Sequence, residues 1–123
     1  MKQQIILIKD IIAPPQYLFA FQDFDNGAAF EAMEQALAPL GFVDQSWRNN
    51  ACPSLTLDRP DGERILEVFI DYKSRDLRED PKVITTYCVN HYDNQGEYEG
   101  CAEFVQHDEC LAYIKAAYMK AEA

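Results

Sequence analysis

Long hydrophobic runs are missing from this sequence. The N-terminal stretch MKQQIILIKDII holds four apolar residues in a row before Lys9 and Asp10 break it, short of an export signal and far short of the roughly 20 residues that cross a bilayer. A cytoplasmic protein with no membrane partner is expected, its four cysteines kept as thiols. Positive charge is scarce: 11 Lys and Arg stand against 21 Asp and Glu, for a formal charge of -10. That balance disfavours direct nucleic-acid binding, because phosphate contacts need Lys and Arg, and it favours a basic partner instead. Also absent are Gly-x-Ser-x-Gly, His-Glu-x-x-His, a phosphate-binding glycine loop and a dinucleotide fingerprint. No internal repeat or low-complexity segment divides the chain. Its 123 residues suffice for one domain, 1–123.

What is present concentrates between Val83 and Cys110. These 28 residues contain six carboxylates, three of the four cysteines and both histidines, with no Lys or Arg. Val83 to Tyr92 is rich in β-branched and aromatic residues, Asp93-Asn94-Gln95-Gly96 is turn-forming, and Glu97 to Val105 alternates, so a hairpin is predicted. Tyr98, Gly100, Ala102 and Phe104 then share one face, and Glu97, Glu99, Cys101 and Glu103 the other. Pairing Tyr92 opposite Glu97 sets Tyr87, Val89 and His91 over Ala102, Gly100 and Tyr98, and places Cys88 opposite Cys101. A slip of one residue would undo the apolar match.

Along the rest of the chain, Gln4 to Ile12 reads as a short strand and Pro14-Pro15 as an extended corner. Gln16 to Phe24, apolar on both alternating faces, reads as a central strand. Asp25 or Asn26 can cap a helix in which Phe30, Met33, Leu37 and Leu40 recur at three- and four-residue steps, with Gly41 placed to end it. Phe42 to Trp47 is a further strand candidate. Leu55 and Leu57, a Pro60-Asp61-Gly62 turn, and Leu66, Val68 and Ile70 predict a second hairpin. Residues 73–82 have no apolar period and four basic residues, which predicts a solvated connection. Leu111, Ile114 and Tyr118, with Cys110 and Ala117, form the stripe of a terminal helix. The sum is an α+β domain: a mostly antiparallel sheet of five to seven strands, with two helices, about 26–40 and 108–121, packed on it.

Three kinds of chemistry compete for the hairpin. Cys88-x-x-His91 and His107-x-x-Cys110, with Cys101 between them, have zinc-type ligands. On a strand, however, residues 88 and 91 point to opposite faces, and Cys110 falls on the apolar stripe, so neither metal nor cofactor is expected. A thiol enzyme would need Cys88 or Cys101 beside His91 or His107, but clustered carboxylates keep a thiol protonated, so an enzyme is the less favoured reading and no catalytic residue is assigned. Carboxylate pairs such as Asp23 with Asp25 read as solvated surface. The third kind is binding. Glu97, Glu99 and Glu103, extended by Asp93, form a comb of negative charge able to steer a basic protein, with Tyr92, Tyr98 and Trp47 as aromatic anchors. The expectation is therefore a small acidic protein that inhibits a basic partner, of the toxin-immunity or anti-defence (anti-CRISPR) type, by occluding its cationic site. The alternatives are a metal- or thiol-dependent enzyme using Cys88, His91, Cys101 and His107, and a homo-oligomeric structural domain such as a homodimer.

Overall fold

A computed structural model describes residues 15–122, with the side chains of residues 15–121, and its architecture is α+β. Five strands, β1 (Val43–Asp44), β2 (Ser54–Asp58), β3 (Arg64–Ile70), β4 (Tyr87–Tyr92) and β5 (Tyr98–Phe104), pair antiparallel in the order β1-β2-β3-β4-β5. Each strand lies beside its neighbour in sequence, the simplest arrangement that hairpin connections permit. Helices α1 (Gln16–Ala20), α2 (Gly27–Leu37) and α3 (His107–Glu122) complete the described elements, with short 3-10 turns at Ala38–Leu40 and Arg75–Leu77. The strand expected at Gln4–Ile12 lies outside the described residues.

Alternation decides which side of the sheet is dry. Leu55, Leu57, Leu66, Val68, Ile70, Tyr87 and Val89 are buried in one cluster with Phe30, Met33 and Leu37 of α2 and Cys110 and Ile114 of α3. The opposite face is a polar lattice that runs from strand to strand. Thr56 donates to Gln45 Oε1 (2.6 Å), Arg64 reaches both Gln45 (3.0 Å) and Glu67 (3.0 Å), and Tyr92 donates to Glu67 Oε1 (2.9 Å).

Four expectations change. Gln16–Ala20 is helical, not a strand: Tyr17, Phe21 and Phe24 are buried at helix-like spacing, whereas Leu18 and Phe19 are exposed. A run that is apolar at nearly every position fits either period, and amides 18 and 19, both 3.1 Å from Pro15 O, close the first turn. The Phe42–Trp47 strand shrinks to Val43–Asp44. Asp44 Oδ1 accepts from the amide (3.1 Å) and hydroxyl (2.7 Å) of Ser46 and turns the chain there, while Oδ2 takes the Tyr17 amide at 2.8 Å.

Neither Asp25 nor Asn26 caps α2 through its side chain. Asp25 instead accepts the amides of Lys73 (2.7 Å) and Ser74 (2.8 Å), Asn26 donates to Asp71 O (3.1 Å), and Asp23 takes the Tyr72 hydroxyl (2.8 Å). The loop before α2 is thus stitched to the segment after β3. That segment is not wholly solvated either, because Arg78 within it is only 7% exposed.

On α2 itself, half-buried Glu34 lies near Asp44 and Glu31. Burial first, then those two carboxylates, raises its pKa above the usual glutamate value of 4.5. The folded state therefore binds this proton more tightly than the unfolded chain does, and stability falls as pH climbs from the ordinary glutamate range through the raised value. Glu34→Gln is expected to stabilise the protein at pH 7 by about 0.5 kcal/mol and to leave it unchanged near pH 4, read by urea unfolding at the two pH values. Equal effects at both would show that ionisation of Glu34 is not the cause.

Candidate functional site

The terminal hairpin forms as expected, but its register is shifted by two residues. Tyr87 faces Phe104, Cys88 faces Glu103, Val89 faces Ala102, Asn90 faces Cys101, and His91 faces Gly100. A shift of two keeps every side chain on its expected face, so the apolar match survives. The register then breaks. Tyr92 pairs with Tyr98, which leaves Glu99 as an extra residue, a β-bulge, beside Gly100 at φ 143°. Only glycine adopts that backbone conformation readily.

The bulge undoes the comb. Past it Tyr98 turns away from the Ala102 and Phe104 face and packs edge-on against Tyr92, with ring centroids 6.0 Å apart, and it is 58% exposed. Glu99 borders a groove beside α3, while Glu103 borders a cleft on the other side of the sheet. Glu97 is exposed at the foot of β5. Asp93 is committed to its own turn, its Oδ1 accepting the amides of Gln95 (2.8 Å) and Glu97 (3.0 Å). Trp47 is exposed but follows β1, at the edge of the sheet farthest from β5, about 19 Å away at ~4.8 Å per strand. Asp93, Glu97, Glu99, Glu103, Tyr92, Tyr98 and Trp47 therefore do not make one surface.

The sulfur and imidazole groups are divided as well. Cys88 and Cys101 sit diagonally on the outer face, not directly opposite, while His91 lies on the inner face. His107 starts α3 and packs its ring against Tyr87 (6.1 Å). Among the described residues no group of three or more His, Cys, Asp and Glu is placed to hold a metal. The Cys88 thiol is pushed up to about 12, first by burial and then by Cys101, Glu103 and Glu67. Burial does the same to Cys110, also about 12. Thiols shifted upward in this way form little thiolate at neutral pH.

Two concave features stand out among the described residues. The first is a cleft of about 210 Å³ on the outer side, where the segment after β3 folds back over the ends of β3 and β4. Its wall carries Asp71, Glu79, Asp80 and Glu103, with Phe69 and Cys52 as its apolar lining. Burial lifts the pKa of Asp71, opposed by the Tyr72 amide that it accepts at 2.8 Å and by Arg78 at 3.9 Å, and reinforced by Glu79 and Asp25. At that size the cleft admits one long side chain and not a cofactor, since small-molecule sites run to ~300–1,000 Å³. Of these four carboxylates the sequence pointed only to Glu103. A β3 extension and a charged loop give no sign of meeting until the sheet is assembled.

The second is a groove of about 690 Å³ between the C-terminal half of α3 and the end of the sheet that carries both hairpin turns. His91 Nε2 lies 2.6 Å from the Tyr113 hydroxyl, and the two rings meet edge to face at 5.3 Å. His91 thus packs on α3 and not on Tyr98, as the sequence suggested. Arg59 crosses between the turns, donating to Asp93 O (3.1 Å) and Asn94 Oδ1 (3.2 Å). Among the described residues no helix is long and apolar enough to cross a membrane. Compared with protein-family models, with curated proteins and with solved structures, the chain matches none, so any functional reading stands on these residues alone.

Proposed function

We propose that this chain is a small acidic binding protein that inhibits a basic protein partner, of the toxin-immunity or anti-defence type, by laying its outer acidic side over the partner's cationic site. One observation carries the reading. Glu79, Asp80 and Glu103 stand exposed around the outer cleft, and the ion pairs among the described residues engage other acids, Asp58, Glu67 and Asp71, through Arg64 and Arg78. At the cleft Arg78 offsets Asp71, while the charges of Glu79, Asp80 and Glu103 have no ion pair among the described residues and are available to steer a cationic surface and speed encounter.

The mechanism is electrostatic capture followed by desolvation. A lysine or arginine of the partner enters the cleft, exchanges water for the carboxylates of Glu79, Asp80 and Glu103, and lays its alkyl stem along Phe69. Exposed Tyr98, paired with Tyr92 on the outer face toward the turn of the hairpin, supplies apolar contact. Using the protein as bait in a lysate of its source cells, with mass spectrometry of the eluate, tests this. A protein of high pI retained at physiological salt and released at about 0.5 M salt, where charges are screened beyond a few Å, is the expected result. Retention of acidic proteins only, or retention indifferent to salt, would oppose it.

A further inference from the structure

We infer that the groove beside α3 is a binding site for a small amphipathic carboxylate, its anionic head at Arg59 and Lys120 and its apolar body against α3. The volume, about 690 Å³, lies within the ~300–1,000 Å³ of small-molecule sites. What opens the space is the sequence of the helix: where α3 passes the end of the sheet it presents Ala116, Ala117 and Ala121, and these short side chains leave a gap over Leu66.

The groove does not share the molecule's net negative charge, because Arg59 and Lys120 balance Asp93 and Glu99 along its lining. In a chain of net charge -10, two cations border one groove. Arg59 is held by a main-chain carbonyl and a side-chain amide, both neutral, and neither it nor Lys120 forms an ion pair among the described residues. A guanidinium fixed in position by neutral oxygens keeps its charge and its remaining N–H donors for an anion. Of the two carboxylates at the rim, Asp93 has Oδ1 turned to its own loop amides and Glu99 is exposed, where solvent screens its charge. About one turn before Ala116 and Ala117 on α3, Tyr113 with His91 adds a donor and acceptor for a hydroxyl or carbonyl on the ligand. An anion with an apolar body satisfies all three features. A neutral lipid would ignore the cations, and a polyphosphate would ignore the alanines.

The site does not depend on the acidic cleft across the sheet, so either reading can fail alone. The probes are dansylglycine, a fluorescent aromatic carboxylate, and dansylamide, which has the same fluorophore and no carboxylate. The expected result is saturable one-to-one binding of dansylglycine, with dansylamide about tenfold weaker. Ala117→Leu, which fills the gap, is expected to weaken dansylglycine about tenfold, and Lys120→Gln, a change at an exposed position, about threefold. Circular dichroism establishes that each variant is folded; should Ala117→Leu unfold, Lys120→Gln and the pair of probes still decide. Non-saturable binding, equal affinity for the two probes, or an affinity unchanged by the folded variants would overturn the assignment.

Discussion

Arg78→Ala is expected to cost about 3–5 kcal/mol, the range for removing one member of a buried charged network. Arg78 is 7% exposed inside a stretch that otherwise faces water. Its Nε donates to Tyr72 O at 2.8 Å, and Nη1 donates to Val83 O at 2.8 Å and Thr85 O at 3.1 Å. Those carbonyls come from both ends of the connection between β3 and β4, so one guanidinium closes the loop that a regular ladder would otherwise have to close. Without it, buried carbonyls lose their donors and the Asp71 carboxylate loses its only cation among the described residues. Arg78→Lys should recover little, because a single ammonium does not reproduce the planar fork that bonds three carbonyls at once. Urea unfolding of the two variants checks both statements. A loss under about 1 kcal/mol for the alanine variant would place Arg78 with ordinary surface positions. Glu79 and Asp80 follow Arg78 directly, so the variant should also blur the acidic cleft that they border.

Phe30→Ala is expected to cost about 3–5 kcal/mol and, for a domain of this size, to lower the Tm by about 12 °C or more. Phe30 is fully buried, and its ring lies 4.3 Å from that of Tyr17. Tyr17 meets Phe24 at 5.9 Å, and Phe24 meets Tyr72 at 5.2 Å. These rings link α2, α1 and the residues after β3 into one aromatic column, so the cavity should loosen α1 as well as α2. Hydrogen exchange should therefore rise at amides 18 to 21 ahead of those in β3. Phe19→Ala, at a position 68% exposed, serves as the control and should change stability by less than about 0.5 kcal/mol. Thermal unfolding of the pair gives the comparison, and similar melting temperatures would mean that the column is not part of the cooperative core.

How far the sequence could be read depended on whether its pattern was periodic. Both hairpins and both long helices were legible because Leu66, Val68 and Ile70 alternate, and because Phe30, Met33 and Leu37 recur at helical steps; those residues are buried. At Gln16–Phe24 the pattern is ambiguous because nearly every position is apolar, and backbone hydrogen bonds to Pro15 decided for a helix. The register of β4 on β5 was missed by two residues for a reason that leaves faces intact, and Gly100, a glycine inside a strand, was the available sign of the bulge. Arg78 had no sign at all, since its partners are main-chain oxygens that composition cannot reveal. The candidate sites were the least legible. Charge pattern pointed to the six acids after Val83, but the assembled cleft draws Asp71, Glu79 and Asp80 from earlier in the chain. The groove beside α3 depends on how that helix docks, which no local pattern specifies.

The central claim is that the acids around the outer cleft recognise a cationic protein. Its most direct test compares two charge reversals in association with the captured partner: Glu79→Lys with Asp80→Lys and Glu103→Lys in one variant, and Glu97→Lys with Glu99→Lys in the other. Surface plasmon resonance at several salt concentrations gives the rates. The first variant should associate at least about tenfold more slowly than the parent and lose most of its salt dependence, while the second should stay within about threefold. If the first variant binds as the parent does, the outer cleft is not the recognition surface and the account fails.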